Sequence, residues 1–199
     1  MPHQSSFIGN GLQNLALVAL GGNLFSSTGS PARTLCAALR ALPAEGIRVV
    51  AVSRFWRSPA YPPGSGPDYV NAAAVVRTAL GPEDTLAALH RIEATLGRTR
   101  TGGRWQARGI DLDLLAMGDL VLPDAATQDQ WRALPPEQQV QATPGTLILP
   151  HPRLQDRGFV LAPLAEVAPS WRHPRTGRTV SQMLAALDPA ALDGMAPLG

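Results

Sequence analysis

The sequence predicts an α+β domain, a split βαβ arrangement in which an antiparallel sheet carries helices on one face. Three observations predict it. The chain has 199 residues, 45% of them hydrophobic, which suits one globular domain and is far from a disordered composition. Apolar runs of strand length and runs at helical spacing follow one another as strand, helix, strand, strand, helix, strand. Gly, Pro and Ser punctuate them where caps and turns need those residues.

The first strand is the apolar run 15–20, stopped by Gly21-Gly22-Asn23. Ser30 then offers an N-cap and Pro31 the first helical position, with Leu35, Leu39 and Leu42 at helical spacing. Residues 47–56 and 69–78 are rich in β-branched and aromatic residues and read as two strands. The Pro/Gly-rich stretch 58–67 between them suits neither regular element. Gly81-Pro82-Glu83-Asp84 opens a second helix, with acids where the helix dipole favours them, and Gly97 closes it. Residues 110–117 form the fourth strand. The polar, proline-rich stretch 123–145 reads as a long loop, and 146–149 as a further strand. Helical segments at 160–167 and 180–187 make a C-terminal helical extension. We expect a single domain over 15–190, a flexible leader over 1–14, and a long insertion within the domain over 119–145.

Composition excludes several functions. All 17 basic residues are arginines, yet the net charge is only +2, so bulk charge does not make this a nucleic-acid binder. The absence of lysine reflects either genome composition or a need for the planar, bidentate guanidinium. The single cysteine, Cys36, rules out a disulfide framework and a cysteine metal cluster. The apolar run at 15–20 is too short to span a bilayer, and residues 1–14 lack the charged start of a signal peptide. A soluble, cytoplasmic protein is expected. The chain has no phosphate-loop lysine, no Gly-x-Ser-x-Gly elbow and no His-Glu-x-x-His.

The sharpest chemical signal is Ile110-Asp111-Leu112-Asp113-Leu114. In a strand, Asp111 and Asp113 share one face while Leu112 and Leu114 point into the core. Such a pair suits Mg²⁺ held together with substrate phosphates; a solvated outer strand face has the same pattern. Arg98, Arg100, Arg104 and Arg108, with Trp105 among them, immediately precede it. Guanidinium groups beside paired carboxylates suit a metal–polyphosphate complex. A basic surface loop or a single-stranded nucleic-acid patch would also look this way, although two carboxylates would repel a nucleic-acid backbone. Pro59, Tyr61, Tyr69 and Asn71 form an aromatic and amide set that fits a flat heterocycle, or simply a core. His90 and Glu93 are neighbours on a helix, and His151 stands between prolines ahead of Arg157 and Phe159.

In combination these segments resemble the 6-hydroxymethyl-7,8-dihydropterin pyrophosphokinase family. The resemblance runs through Ala16-Leu17-Val18-Ala19-Leu20-Gly21-Gly22-Asn23, Ser53-Arg54-Phe55-Trp56-Arg57-Ser58-Pro59 and Pro67-Asp68-Tyr69-Val70-Asn71. It continues in Arg91-Ile92-Glu93, Gly97-Arg98, Arg104-Trp105, Arg108-Gly109-Ile110-Asp111-Leu112-Asp113-Leu114, Leu149-Pro150-His151-Pro152 and Arg157-Gly158-Phe159. It implies a ferredoxin-like domain that works as a monomer. The implied reaction moves the ATP pyrophosphoryl group to the pterin hydroxymethyl oxygen and leaves AMP. Small molecules, ATP and 6-hydroxymethyl-7,8-dihydropterin, would then be the partners, with no nucleic acid and no membrane. By the same resemblance Asp111 and Asp113 bind two Mg²⁺, and Arg98 and Arg108 contact the phosphates, with Arg100 a further basic position. The resemblance also implies that Trp105 closes over both substrates. Glu93, His151 and Arg157 belong to the ATP site. Ser58, Pro59, Tyr61, Tyr69, Asn71 and Phe159 belong to the pterin site. Gly22, His90, Thr101 and Thr146 stand where the family often has serine, glutamine, a basic residue and arginine.

Overall fold

The computed structural model describes residues 14–60, 64–97, 109–135, 138 and 144–198. Its sheet starts with β1 (Asn14–Gly22), β2 (Ile47–Val52), β3 (Trp56–Ser58), β4 (Tyr69–Thr78) and β5 (Asp111–Met117). A short β6 (Ala196–Pro197) completes it. The helices are α1 (Pro31–Ala41), α2 (Pro82–Thr95), α3 (Ala125–Ala133), α4 (Gly158–Val167) and α5 (Val180–Ala185).

β1 lies between β5 and β4 and is antiparallel to both. β2 and β3 share the far edge of β4, and β6 pairs with β3. Thus β1 and β2 run parallel with β4 inserted between them, the split βαβ arrangement expected from the element order. Asn14, placed in the leader by sequence, already pairs with Thr78. The helix caps are those the sequence announces: Ser30 accepts from the Arg33 N–H, and Pro31 and Pro82 open their helices.

The sheet is covered on both faces, which corrects the expectation of helices on one. Ala16, Val18 and Leu20 of β1, with Ala72, Ala74 and Val76 of β4, pack with Leu35, Ala38, Leu89 and Ile92 of α1 and α2. Leu17, Ala73 and Leu115 face the other way, onto Val160, Leu161 and Leu164 of α4 and Val180 and Met183 of α5. β4 is therefore apolar on both faces, as a central strand must be, and its alternation is hidden.

Three further differences have local causes. The strand expected over 47–56 breaks into β2 and β3. The Ser53 hydroxyl accepts from the Ala73 N–H at 2.9 Å, taking the place of a ladder carbonyl, and a bulge lies between Val49 and Ala51. The stretch expected as a loop contains α3, capped by Asp124, which accepts from the Thr127 N–H. The strand expected at 146–149 is a single bridge between Leu122 and Leu149.

α3 is fastened at two points. Its buried Gln128 donates to the Pro150 carbonyl at 3.1 Å, and Asp129 accepts from Arg132 at 2.9 Å and Arg175 at 2.5 Å. Those two arginines hold the Asp129 carboxyl well below its ordinary range. Beside them His173 is fully buried, and its Nδ1 accepts from the Arg175 N–H at 3.1 Å. Burial, then the nearby Arg132, lowers its pKa from 6.5 to about 4. The folded state therefore keeps His173 neutral where the unfolded chain protonates it, so stability present above pH 6.5 is lost as pH falls towards 4. We expect a lower denaturant midpoint at pH 5.0 than at pH 7.5. His173→Asn, which keeps an acceptor for the turn, should flatten part of that slope. A slope identical in the variant would exclude His173 as its source.

Candidate active site

Cross-strand register brings the sequence signals to one end of the sheet. Gly21 of β1 stands opposite Asn71 of β4 on one side and Asp111 of β5 on the other. Opposed residues share a face, so Asn71, Gly21 and Asp111 form a row across three strands. Asp113 follows opposite Ala19, while Leu112 and Leu114 are buried against α1 and α2, as the alternation requires. Both carboxylates are half-buried. Gly21 keeps the middle of the row open. A Cβ there would stand 3.2 Å from Asn71 Oδ1.

On the amide side, β3 pairs with the start of β4, setting Ser58 opposite Tyr69. Asn71 is buried, and its Nδ2 donates to the Ser58 hydroxyl at 2.8 Å. That bond fixes the amide and leaves Oδ1 aimed along the row. Pro59 is exposed at the end of β3, and Tyr69 is half-buried. Phe159, 40% exposed at the start of α4, lies under the Arg157 guanidinium at 5.6 Å from its ring centroid.

On the acidic side, the His151 N–H donates to the Leu115 carbonyl of β5 at 2.8 Å, hanging the Pro-His-Pro segment on the sheet edge. The His151 Nδ1 accepts from the Arg153 N–H at 3.1 Å. Burial first, then Arg157 and Arg153, lowers the His151 pKa to about 3, with Asp111 opposing. The ring is therefore neutral at pH 7 and presents Nε2 as a donor. Arg157 is lowered by burial, and Asp113 and Asp111 act against that shift. Asp111, Asp113, His151 and Arg157 thus interact as one electrostatic group. Glu93 is fully buried on α2, and its Oε1 accepts from the Leu112 N–H, between the two aspartates, at 2.7 Å.

Arg98, Arg100, Trp105 and Arg108, with Tyr61, lie outside the described residues, as do Arg104 and Thr101. Three contributions were not anticipated from sequence. Gly21 reads as a turn glycine, although strand alternation places it on the face of Asp111. Asn23 is buried and donates to the Pro67 carbonyl at 3.2 Å, tying the end of β1 to the loop before β4. Glu166 near the end of α4 accepts from the Arg54 N–H at 2.8 Å, the Arg54 Nη2 at 2.8 Å and the Trp56 indole at 3.1 Å. Burial works to raise that carboxyl, and the Arg54 and Trp56 donors outweigh it. No local motif announces a contact 112 residues away.

Among the described residues, no three of His, Cys, Asp and Glu gather to hold a metal ion by themselves. A Mg²⁺ needs no such cage. One or two carboxylates, waters and substrate phosphates suffice, so the half-buried aspartate pair fits that ion. No helix of the described residues is long and apolar enough to cross a membrane.

A family model described as 7,8-dihydro-6-hydroxymethylpterin-pyrophosphokinase (HPPK) matches residues 17–169. A 2-amino-4-hydroxy-6-hydroxymethyldihydropteridine pyrophosphokinase of Synechocystis sp. is 37% identical over 183 residues, covering 92% of this chain and 80% of that one. One of the same name from Pseudomonas aeruginosa is 39% identical over 172 residues, covering 85% and 89%. Among solved structures, wild-type Plasmodium falciparum HPPK-DHPS superposes with a TM-score of 0.60 at 13% identity, covering 89% of this chain and 45% of that one. At that identity the likeness bears on the fold alone.

Proposed function

This chain belongs to the 7,8-dihydro-6-hydroxymethylpterin-pyrophosphokinase family and transfers the ATP pyrophosphoryl group to the hydroxyl of the dihydropterin in folate biosynthesis; on that premise we propose that the Asn71–Gly21–Asp111 end of the sheet is where the transfer occurs. The observation that supports this reading is the register itself. It sets a fixed amide two strands away from paired carboxylates, with a glycine between them.

In this reading Tyr69, Asn71 and Phe159 hold the pterin, with Asn71 reading its edge and the Ser58-Pro59 segment lining the pocket. Tyr61 belongs to the same subsite. Asp111 and Asp113 would hold two Mg²⁺ on the ATP phosphates. When bound, these ions neutralise charge on the phosphate oxygens and align the triphosphate. Arg157 places a guanidinium beside the aspartates, and neutral His151 adds an Nε2–H donor without adding charge. Arg98, Arg100, Trp105 and Arg108, from the segment before β5, complete the ATP side, and Trp105 also closes over the pterin. The hydroxyl attacks the β-phosphorus in line and AMP departs. The hydroxyl proton passes to solvent, positioning and electrostatics supply most of the catalysis, and no side chain of the sequence announces itself as an obligatory base.

The test is AMP release. AMP should form only when ATP, Mg²⁺ and the reduced pterin alcohol are all present, and AMP formed without the pterin would refute the reading. Asn71→Ala should raise the pterin KM about tenfold, the scale of about one lost amide hydrogen-bond set, with the ATP KM little changed. A variant whose ATP KM alone moved would place Asn71 in the nucleotide site.

A further inference from the structure

We propose that the C-terminal tail, residues 189–198, is a wall of the pterin subsite and sets pterin affinity; this rests on the site reading above. The family match ends at residue 169, so nothing in it accounts for the tail. Yet the tail reaches two segments that flank that subsite.

The first contact is with β3. Ala196 pairs with Arg57 and Pro197 with Trp56, and the Leu198 N–H donates to the Phe55 carbonyl at 2.7 Å. β3 has only three residues, and without β6 its outer edge would be unpaired. The strand it would loosen carries Ser58, which holds the Asn71 amide. The second contact is with Pro59. Gly194 has φ +71, and a Cβ there would stand 2.7 Å from Pro59 Cγ. Only glycine permits both that backbone and that approach. The third is with the start of α4. A Cβ at Gly158, between Arg157 and Phe159, would run into the Ala191 carbonyl and stand 2.9 Å from Leu192 Cδ2. The tail is shaped for these contacts by Asp188, whose side chain accepts from the Ala190 N–H at 2.9 Å and starts the 3₁₀ turn Pro189–Leu192. One ten-residue segment therefore buttresses both Ser58-Pro59 and the Arg157–Phe159 turn.

The experiment compares full-length variants by steady-state AMP release, with the denaturant midpoint of each measured alongside. Gly194→Ala drives a methyl group into Pro59 and also carries the left-handed backbone cost. Gly177→Ala is the control. It has φ +68 with nothing within 4 Å, so it carries the backbone cost alone. Leu198→Pro removes the donor to Phe55 at the chain end and decides the matter if Gly194→Ala does not fold. We expect Gly194→Ala to raise the pterin KM about tenfold and Leu198→Pro to move it the same way, with the ATP KM within about twofold. Gly177→Ala should move neither. Unchanged pterin KM in Gly194→Ala and Leu198→Pro, or a joint rise of both KM values, would overturn the proposal while the wild type remains active. A wild type that releases no AMP with the pterin alcohol would instead overturn the function reading, and the proposal with it.

Discussion

Asp113→Asn is expected to lower kcat/KM for AMP release by about three orders of magnitude, and Asp111→Asn by a similar factor. The size follows from what the carboxylates do in the proposed site. Each would help neutralise a divalent cation on the ATP phosphates, in a partly desolvated corner where charge is poorly screened by water. Asparagine is nearly isosteric but neutral, so it keeps the shape and loses the charge. Both side chains are only half-buried, and their strand neighbours Leu112 and Leu114 carry the packing. The denaturant midpoint should therefore move by less than about 1 kcal/mol equivalent. The Mg²⁺ concentration needed for half-maximal rate should rise in both variants. Near-wild-type turnover in both would remove the aspartates from the reaction. A large fall in stability would show that they support the fold instead.

Most of the sheet was legible because its strands obey simple rules. β4 was readable at both ends, since Tyr69 and Thr78 bound an apolar, β-branched run. Asp111 and Asp113 could be placed on one face because alternation is strict across Leu112 and Leu114. What escaped notice was non-local. The break between β2 and β3 depends on a Ser53 hydroxyl finding Ala73, twenty positions on. The second covered face could not be inferred from helix patterns alone, because α4 is apolar nearly all round and names no partner. α3 was hidden because the prolines around it suggested a loop, while its anchors, Pro150 and Arg175, lie far along the chain. Within the site, the residues were legible singly, yet the row Asn71, Gly21, Asp111 exists only through strand register. Register depends on the whole hydrophobic pattern rather than on any one segment.

Glu93→Ala is expected to destabilise the fold by about 3 kcal/mol and to collapse activity, whereas Glu93→Gln should keep most of both. The asymmetry comes from the place of this carboxylate. Among the described strands β5 pairs only with β1, and the Leu112 N–H is met by Glu93 Oε1 at 2.7 Å. A buried N–H stripped of its acceptor costs about 1–3 kcal/mol, and the volume left by the side chain adds to it. Glutamine still offers a carbonyl oxygen to the Leu112 N–H, so that bond survives without its charge assistance, a loss of about 1 kcal/mol. The effect on activity follows through geometry. Leu112 is flanked by both aspartates, and a β5 end free to shift by an ångström misplaces the pair even though neither has changed. Beside the ATP-site role that the family resemblance implies for it, Glu93 positions β5, and Glu93→Gln should keep that positioning while kcat falls modestly. A sharp rise of the ATP KM in Glu93→Gln at unchanged stability would assign the carboxylate to the nucleotide directly, and an unchanged ATP KM would leave it the positioning role alone. If Glu93→Ala were as stable as the wild type, the bond to Leu112 would not be what fixes the catalytic end of β5.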